Sequence, residues 1–147
     1  MRKLMLIPFL VLFISCESDN LNEYSGEIPF TDYSLEESSC QWIETEYNNV
    51  VVINSYMNLK KYTHCSKWNV PKINFDKKSL LLVSGRTPGG IGTLSKKLTK
   101  DRDGYLLQIE IELNETTIAG QDWQVAIIIP KLSKNSDIKL DVKTIKN

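Results

Sequence analysis

Three cysteines and one histidine carry the most reactive side chains of this 147-residue chain. His64 and Cys65 are adjacent, whereas a nucleophilic Cys–His pair needs both side chains brought together. Neighbours on a strand point to opposite faces, so the spacing argues against thiol catalysis and makes His64 a surface residue. A lone imidazole excludes a His-rich metal site, and no metal set is expected. The Gly-x-Ser-x-Gly spelling of serine hydrolases is absent. Glu110 and Glu112 are the most evident carboxylate pair, but they alternate with apolar residues and belong to the wet side of a strand, not to a glycosidase dyad. These residues predict a non-catalytic protein without a cofactor.

The glycine cluster Gly85-Arg86-Thr87-Pro88-Gly89-Gly90-Ile91-Gly92 is the next candidate. It lacks the Gly-Lys-Ser/Thr ending of a phosphate loop and leads into a strand pattern, not a helix N-terminus. Two readings stay open: a wide β-turn in which glycine accepts left-handed φ, or a loop whose backbone approaches a partner with Arg86 as anchor. Trp123 ends a second loop, Thr116 to Asp122. Its alternation with Val125, Ile127 and Ile129 favours the core, while its type is also enriched at binding hot spots. The candidate partner-binding set is Arg86, Thr87, Pro88, Gly89, Gly90 and Trp123.

Arg2 and Lys3 precede an apolar run, Leu4 to Ile14, which as a helix would span about 16 Å. That is too short for the hydrocarbon core of a bilayer and is the pattern of a secretory signal peptide, expected over residues 1–15. Its end, Phe13-Ile14-Ser15-Cys16, resembles a bacterial lipobox, in which a small residue precedes the cysteine that is acylated and becomes the new N-terminus. The resemblance implies lipidation at Cys16, and several acyl chains would anchor the protein to a bilayer stably. Glu17 as the second mature residue, where Asp would signal retention, implies the outer membrane of a bacterial cell envelope. Residues 16–26 are polar and read as a tether.

Cleavage before Cys16 leaves 132 residues with 16 basic and 18 acidic side chains, net −2. That balance lacks the basic excess of a nucleic-acid binder, and no nucleic-acid partner is expected. Two cysteines remain, Cys40 and Cys65. Outside the reducing cytoplasm an even remainder points to a disulfide, with two buried free thiols as the alternative.

The elements that must position these residues are mostly strands. Trp42 to Glu46 and Asn49 to Asn54 read as strands around a Tyr47-Asn48 turn. Ser55 is expected to cap one short helix through about Tyr62. Ser79 to Ser84 is too apolar for a strand with one wet face and reads as central. Ile91 to Leu98 is a weaker strand, and Asp101-Arg102-Asp103-Gly104 a turn with glycine where φ > 0 is often needed. Tyr105 to Asn114, Trp123 to Ile129 and Ile138 to Val142 alternate as half-buried strands. The fold class is mainly antiparallel β with one short helix, as a single small domain over residues 27–147.

The order Pro71-x-Ile73-x-Phe75-Asp76, an apolar strand, Gly85, Thr87-Pro88-Gly89-Gly90, an alternating strand and Val125-Ala126-Ile127-Ile128-Ile129-Pro130-Lys131 resembles the PrcB-like C-terminal domain family. The resemblance covers about Val51 to Ile145; Asn74-Phe75-Asp76 replaces an Asp-Phe entry, and Ile91 stands where an aromatic is common. It implies a lipoprotein that binds or stabilises another envelope protein, such as a protease complex. The Thr-Pro-Gly-Gly loop also resembles that of chagasin-like cysteine-protease inhibitors, which implies protease inhibition as an alternative. A further alternative is a small-ligand or glycan binder built around Trp42, Trp68 and Trp123.

Overall fold

The structure, a computed structural model, describes residues 26–114, 119–133 and 136–146. Among these described residues, ten strands and one helix follow in the order β1 (Gly26–Glu27), β2 (Thr31–Asp32), β3 (Cys40–Trp42), β4 (Val51–Ile53), α1 (Tyr56–Lys60), β5 (Thr63–Cys65), β6 (Lys78–Thr87), β7 (Gly90–Asp101), β8 (Gly104–Asn114), β9 (Gln121–Pro130) and β10 (Ile138–Lys146). They form two four-stranded sheets, β1-β7-β8-β10 and β2-β9-β6-β4, and the pair β3-β5. The domain is mainly antiparallel β with one short helix, as the alternation predicts.

Alternating residues build the core between the sheets. Leu98, Leu107, Ile109 and Ile111 of one sheet meet Leu81, Val83, Trp123, Val125, Ile127 and Ile129 of the other. Their polar alternates, among them Glu110, face outward. Strand β6 is buried on both sides from Ser79 to Gly85, which explains its unbroken apolar run and its place between β4 and β9. Leu80 and Leu82 face away from the first core into a second, shared with Tyr33, Leu35, Cys40, Ile53, Leu59, Ile73 and Phe75. Short elements cover that outer face: β3, β5, α1 and the segments joining them.

The helix forms where capping allows it. Ser55 is extended, and its hydroxyl accepts the Asn58 N–H at 3.1 Å, while Leu59 is the residue α1 buries. The turn between β7 and β8 leaves Gly104 at φ +130°, where a Cβ would lie 2.9 Å from the Asp137 carbonyl oxygen, so glycine is required there.

Several expectations need correction. The first expected strand is shorter and shifted, ending at Trp42; residues 43–46 cross the sheet as irregular chain and touch it through the isolated bridge Tyr47–Ser84. Strand β5 has three residues, too few for alternation to reveal, and pairs Cys65 with Cys40 and His64 with Gln41. Strands β6 and β7 extend through most of the expected glycine loop, leaving two residues, Pro88 and Gly89, between them. Strand β10 runs parallel to β8, because the chain leaves β9 at the end of the sandwich where β8 begins.

Candidate binding tip

Strands β6 and β9 pair over their full length, with Arg86 opposite Asp122 and Gly85 opposite Trp123. Position 85 has to be glycine: a Cβ there would stand 2.2 Å from Cζ2 of the Trp123 indole. The indole therefore lies across the Gly85 backbone on the core side and is only 7% exposed. Packed there, it holds the ends of β6 and β9 together at one tip of the sandwich.

On the opposite side of the same pair, Arg86 and Asp122 emerge into solvent. The guanidinium donates from Nη1 to Asp122 Oδ1 at 2.8 Å and from Nη2 to the Gly120 carbonyl at 3.4 Å. Tyr47, set on the far edge of β6 by its bridge to Ser84, donates its hydroxyl to the same Asp122 Oδ1 at 3.0 Å. Asp122 thus gathers two donors from segments distant in sequence. The carboxylate raises the Arg86 pKa and, by accepting its hydrogen bond, that of the Tyr47 hydroxyl. All three groups are exposed and keep open hydrogen-bonding capacity.

The connection above this cluster is firmly built. The buried Thr87 hydroxyl lies 2.6 Å from the Gly89 carbonyl and 3.0 Å from the Gln121 carbonyl. The Gln121 side chain in turn accepts the Ile91 N–H at 2.9 Å. A bulge at Gly92 shifts the pairing of β7 with β8 just beyond. Among the described residues, the structure thus brings the glycine segment together with Gly120 to Trp123. Their members divide: Thr87, Gly89, Gly90 and Trp123 are buried and support the tip, whereas Arg86 and Pro88 present themselves at its surface.

Two depressions adjoin the tip and share Trp42 and Gln124. The larger, about 780 Å³, runs between β9 and the segment Tyr33 to Trp42, with His64 in its wall. The smaller, about 420 Å³, lies beneath Tyr47 beside Asp122 and Trp123. Trp68 is not among the walls of either; Lys60 Nζ sits 5.0 Å above its ring. The three tryptophans therefore do not converge on one site.

Cys40 and Cys65 are joined by a disulfide between β3 and β5. His64 stands beside it, exposed, on the opposite face of β5. Glu110 and Glu112 lie on the outward side of β8, with Glu112 accepting the Thr93 hydroxyl at 3.0 Å. Among the described residues no group of His, Cys, Asp and Glu is placed to hold a metal ion, and no helix is long and apolar enough to cross a membrane. Cys16 and the expected signal peptide lie outside the described residues.

Tyr47 and Asp122 are the members of the site that residue types alone did not single out. Asp122 lies within the segment before Trp123, but its role needs the β6–β9 register; Tyr47 needs a crossing no local pattern encodes. No family model matches the chain, and neither do any curated proteins or solved structures.

Proposed function

We propose that the protein is a lipid-anchored, non-catalytic lipoprotein of the bacterial cell envelope, whose tip binds another envelope protein such as a protease complex. The single observation that carries this is the Arg86–Asp122–Tyr47 cluster: an exposed guanidinium, carboxylate and phenol held in register by buried Trp123 and Thr87. Tyrosine and arginine fixed over a rigid base are the side chains that protein interfaces use as anchors. The resemblance to the PrcB-like family points the same way.

The place of β1 in its sheet suits a tether attached there. Gly26 pairs with Lys100, ten residues along β7 from Gly90. At about 3.3 Å per strand residue, that separates a tether attached at Gly26 from the tip by about 33 Å. Acylated Cys16 would thus hold one end of the sandwich at the bilayer while the other reaches outward.

The test is co-purification from detergent-extracted native membranes. The full-length chain is expected to retain a specific envelope protein, and the double variant Arg86→Ala/Asp122→Ala to lose it at least ten-fold. Equal recovery with both chains overturns the tip as binding site. Cys16→Ser is expected to move the protein from the membrane to the soluble fraction; unchanged membrane retention overturns the lipid anchor.

A further inference from the structure

Strand β9 has an edge that its neighbour does not cover. Strand β2 pairs with it at Ile127 and Ile128, and Tyr33 N–H adds one bond to the Ala126 carbonyl at 2.9 Å. The chain then turns away through Ser34 to Ser39, where Ser38 N–H bonds back to the Leu35 carbonyl. In an antiparallel ladder, main-chain groups alternate between the two neighbours. Since Ala126 faces β2, Gln124 and Asp122 also turn their N–H and C=O groups to that side, away from β6. Among the described residues, these main-chain groups meet no partner. The 780 Å³ groove opens along this stretch, between Gln124 and Ala126 on one wall and Leu35, Glu36 and Trp42 on the other.

Strand β7 lies beneath. Its Lys96 bonds Asp32 of β2 at 2.7 Å, its Ile91 N–H bonds the Gln121 side chain, and half-buried Ile91 and Leu94 pack against the core between the sheets. The outer rim is acidic: Glu36 lines the groove and Glu44 the adjoining depression, and neither forms an ion pair among the described residues.

We infer that this edge takes an extended, cationic segment of the partner polypeptide as an added strand beside Asp122 and Gln124. Unpaired donors and acceptors at strand spacing match another backbone, as in strand addition to an exposed sheet edge. Alternate guest side chains would be apolar toward the interior of the sandwich, and Lys or Arg toward Glu36 and Glu44. This inference rests on the protein-binding role proposed above and specifies the form of the partner.

The probe is a labelled nonapeptide alternating valine with lysine, titrated by fluorescence anisotropy into the detergent-solubilised full-length chain. Saturable binding is expected, weakened ten-fold or more when alternate peptide amides are N-methylated and by Gln124→Pro. That proline removes an N–H directed outward from β9 and leaves the β6 ladder in place. Glu36→Lys/Glu44→Lys, a surface change that leaves the edge intact, is expected to weaken binding as well, and Glu110→Gln to leave it unchanged. Equal binding of the N-methylated peptide, meaning ionic association only, overturns the added strand, as does absence of binding to the wild type. A dimer of the chain abolished by Gln124→Pro overturns the partner segment in favour of a second copy. Loss of the co-purified protein in the Arg86 and Asp122 double variant, with an edge indifferent to the peptide, removes the added strand and leaves the tip.

Discussion

The two faces of the sheet β2-β9-β6-β4 are held in different ways. Its inner face is covered by long strands whose alternating residues interdigitate, and the fully buried Ile127, Leu107 and Ile109 need nothing beyond that alternation. Its outer face is covered by a strand pair of three residues each, a five-residue helix and irregular chain. Side chains pin these pieces individually. Tyr33 donates its hydroxyl to the Pro71 carbonyl at 3.0 Å, Tyr56 donates to the Ile73 carbonyl at 3.1 Å and accepts the Ile73 N–H at 2.8 Å, and the Cys40–Cys65 bridge closes the pair. Regular pairing distributes stability, whereas an irregular cover depends on separate fastenings.

The largest effect should come from the regular face. Ile127→Ala, at a site with no exposure, is expected to cost about 4 kcal/mol by removing packed methylenes from between the sheets. Urea titration followed by circular dichroism measures it; a cost near that of a surface substitution would contradict the assigned core. Breaking the fastening on the other face should cost less and act locally. Cys40→Ser/Cys65→Ser is expected to lose about 3 kcal/mol in the loop-entropy account. Hydrogen exchange should accelerate in β3 and β5 while β8 and β9 stay protected. Uniform acceleration across both faces would erase the contrast.

Gly85→Ala tests the joint between the core and the tip. The new methyl would meet the Trp123 ring, and a cost of about 2 kcal/mol is expected from overpacking. A shift in tryptophan emission should accompany it, and an unchanged melting curve would show that the indole does not rest on the glycine.

The smallest stability effect concerns Tyr33 and depends on pH. Burial first, and then the neighbouring Tyr56, push its hydroxyl up to about 12 from an ordinary 10.0. The folded state then holds the proton more tightly than the unfolded chain. The corresponding stability is complete below pH 10 and is lost as pH rises toward 12. Tyr33→Phe lacks this titration and the bond to Pro71, and is expected to cost about 1 kcal/mol at neutral pH. The gap between variant and wild type should narrow above pH 10. A constant gap up to pH 12 would show that Tyr33 titrates normally.

The same contrast explains what the sequence disclosed. Alternation at Tyr105 to Asn114 and Trp123 to Ile129 placed both strands and their inward residues, because long pairing imposes a period of two. The helix was legible through Ser55, and the turn through Gly104. The outer cover was not, since β5 and the crossing at residues 43–46 are too short to impose a period. The tip was legible in part: Arg86 and Trp123 stood out by type, but Asp122 and Tyr47 acquire their roles only from the register of β6 with β9 and the bridge at Ser84. The glycine segment read as a loop because its small residues weaken the strand pattern, whereas Gly85 continues the strand to seat an indole.

The central claim is that the tip meets another protein, and site-specific photocrosslinking in intact cells tests it most directly. A benzoylphenylalanine placed at Pro88, an exposed position beside Arg86, is expected to link covalently to one envelope protein. The same group at Glu110, on the outward side of the other sheet, should give no such product. A discrete adduct from position 88 alone is the predicted result; no adduct, or the same adducts from both positions, would contradict it.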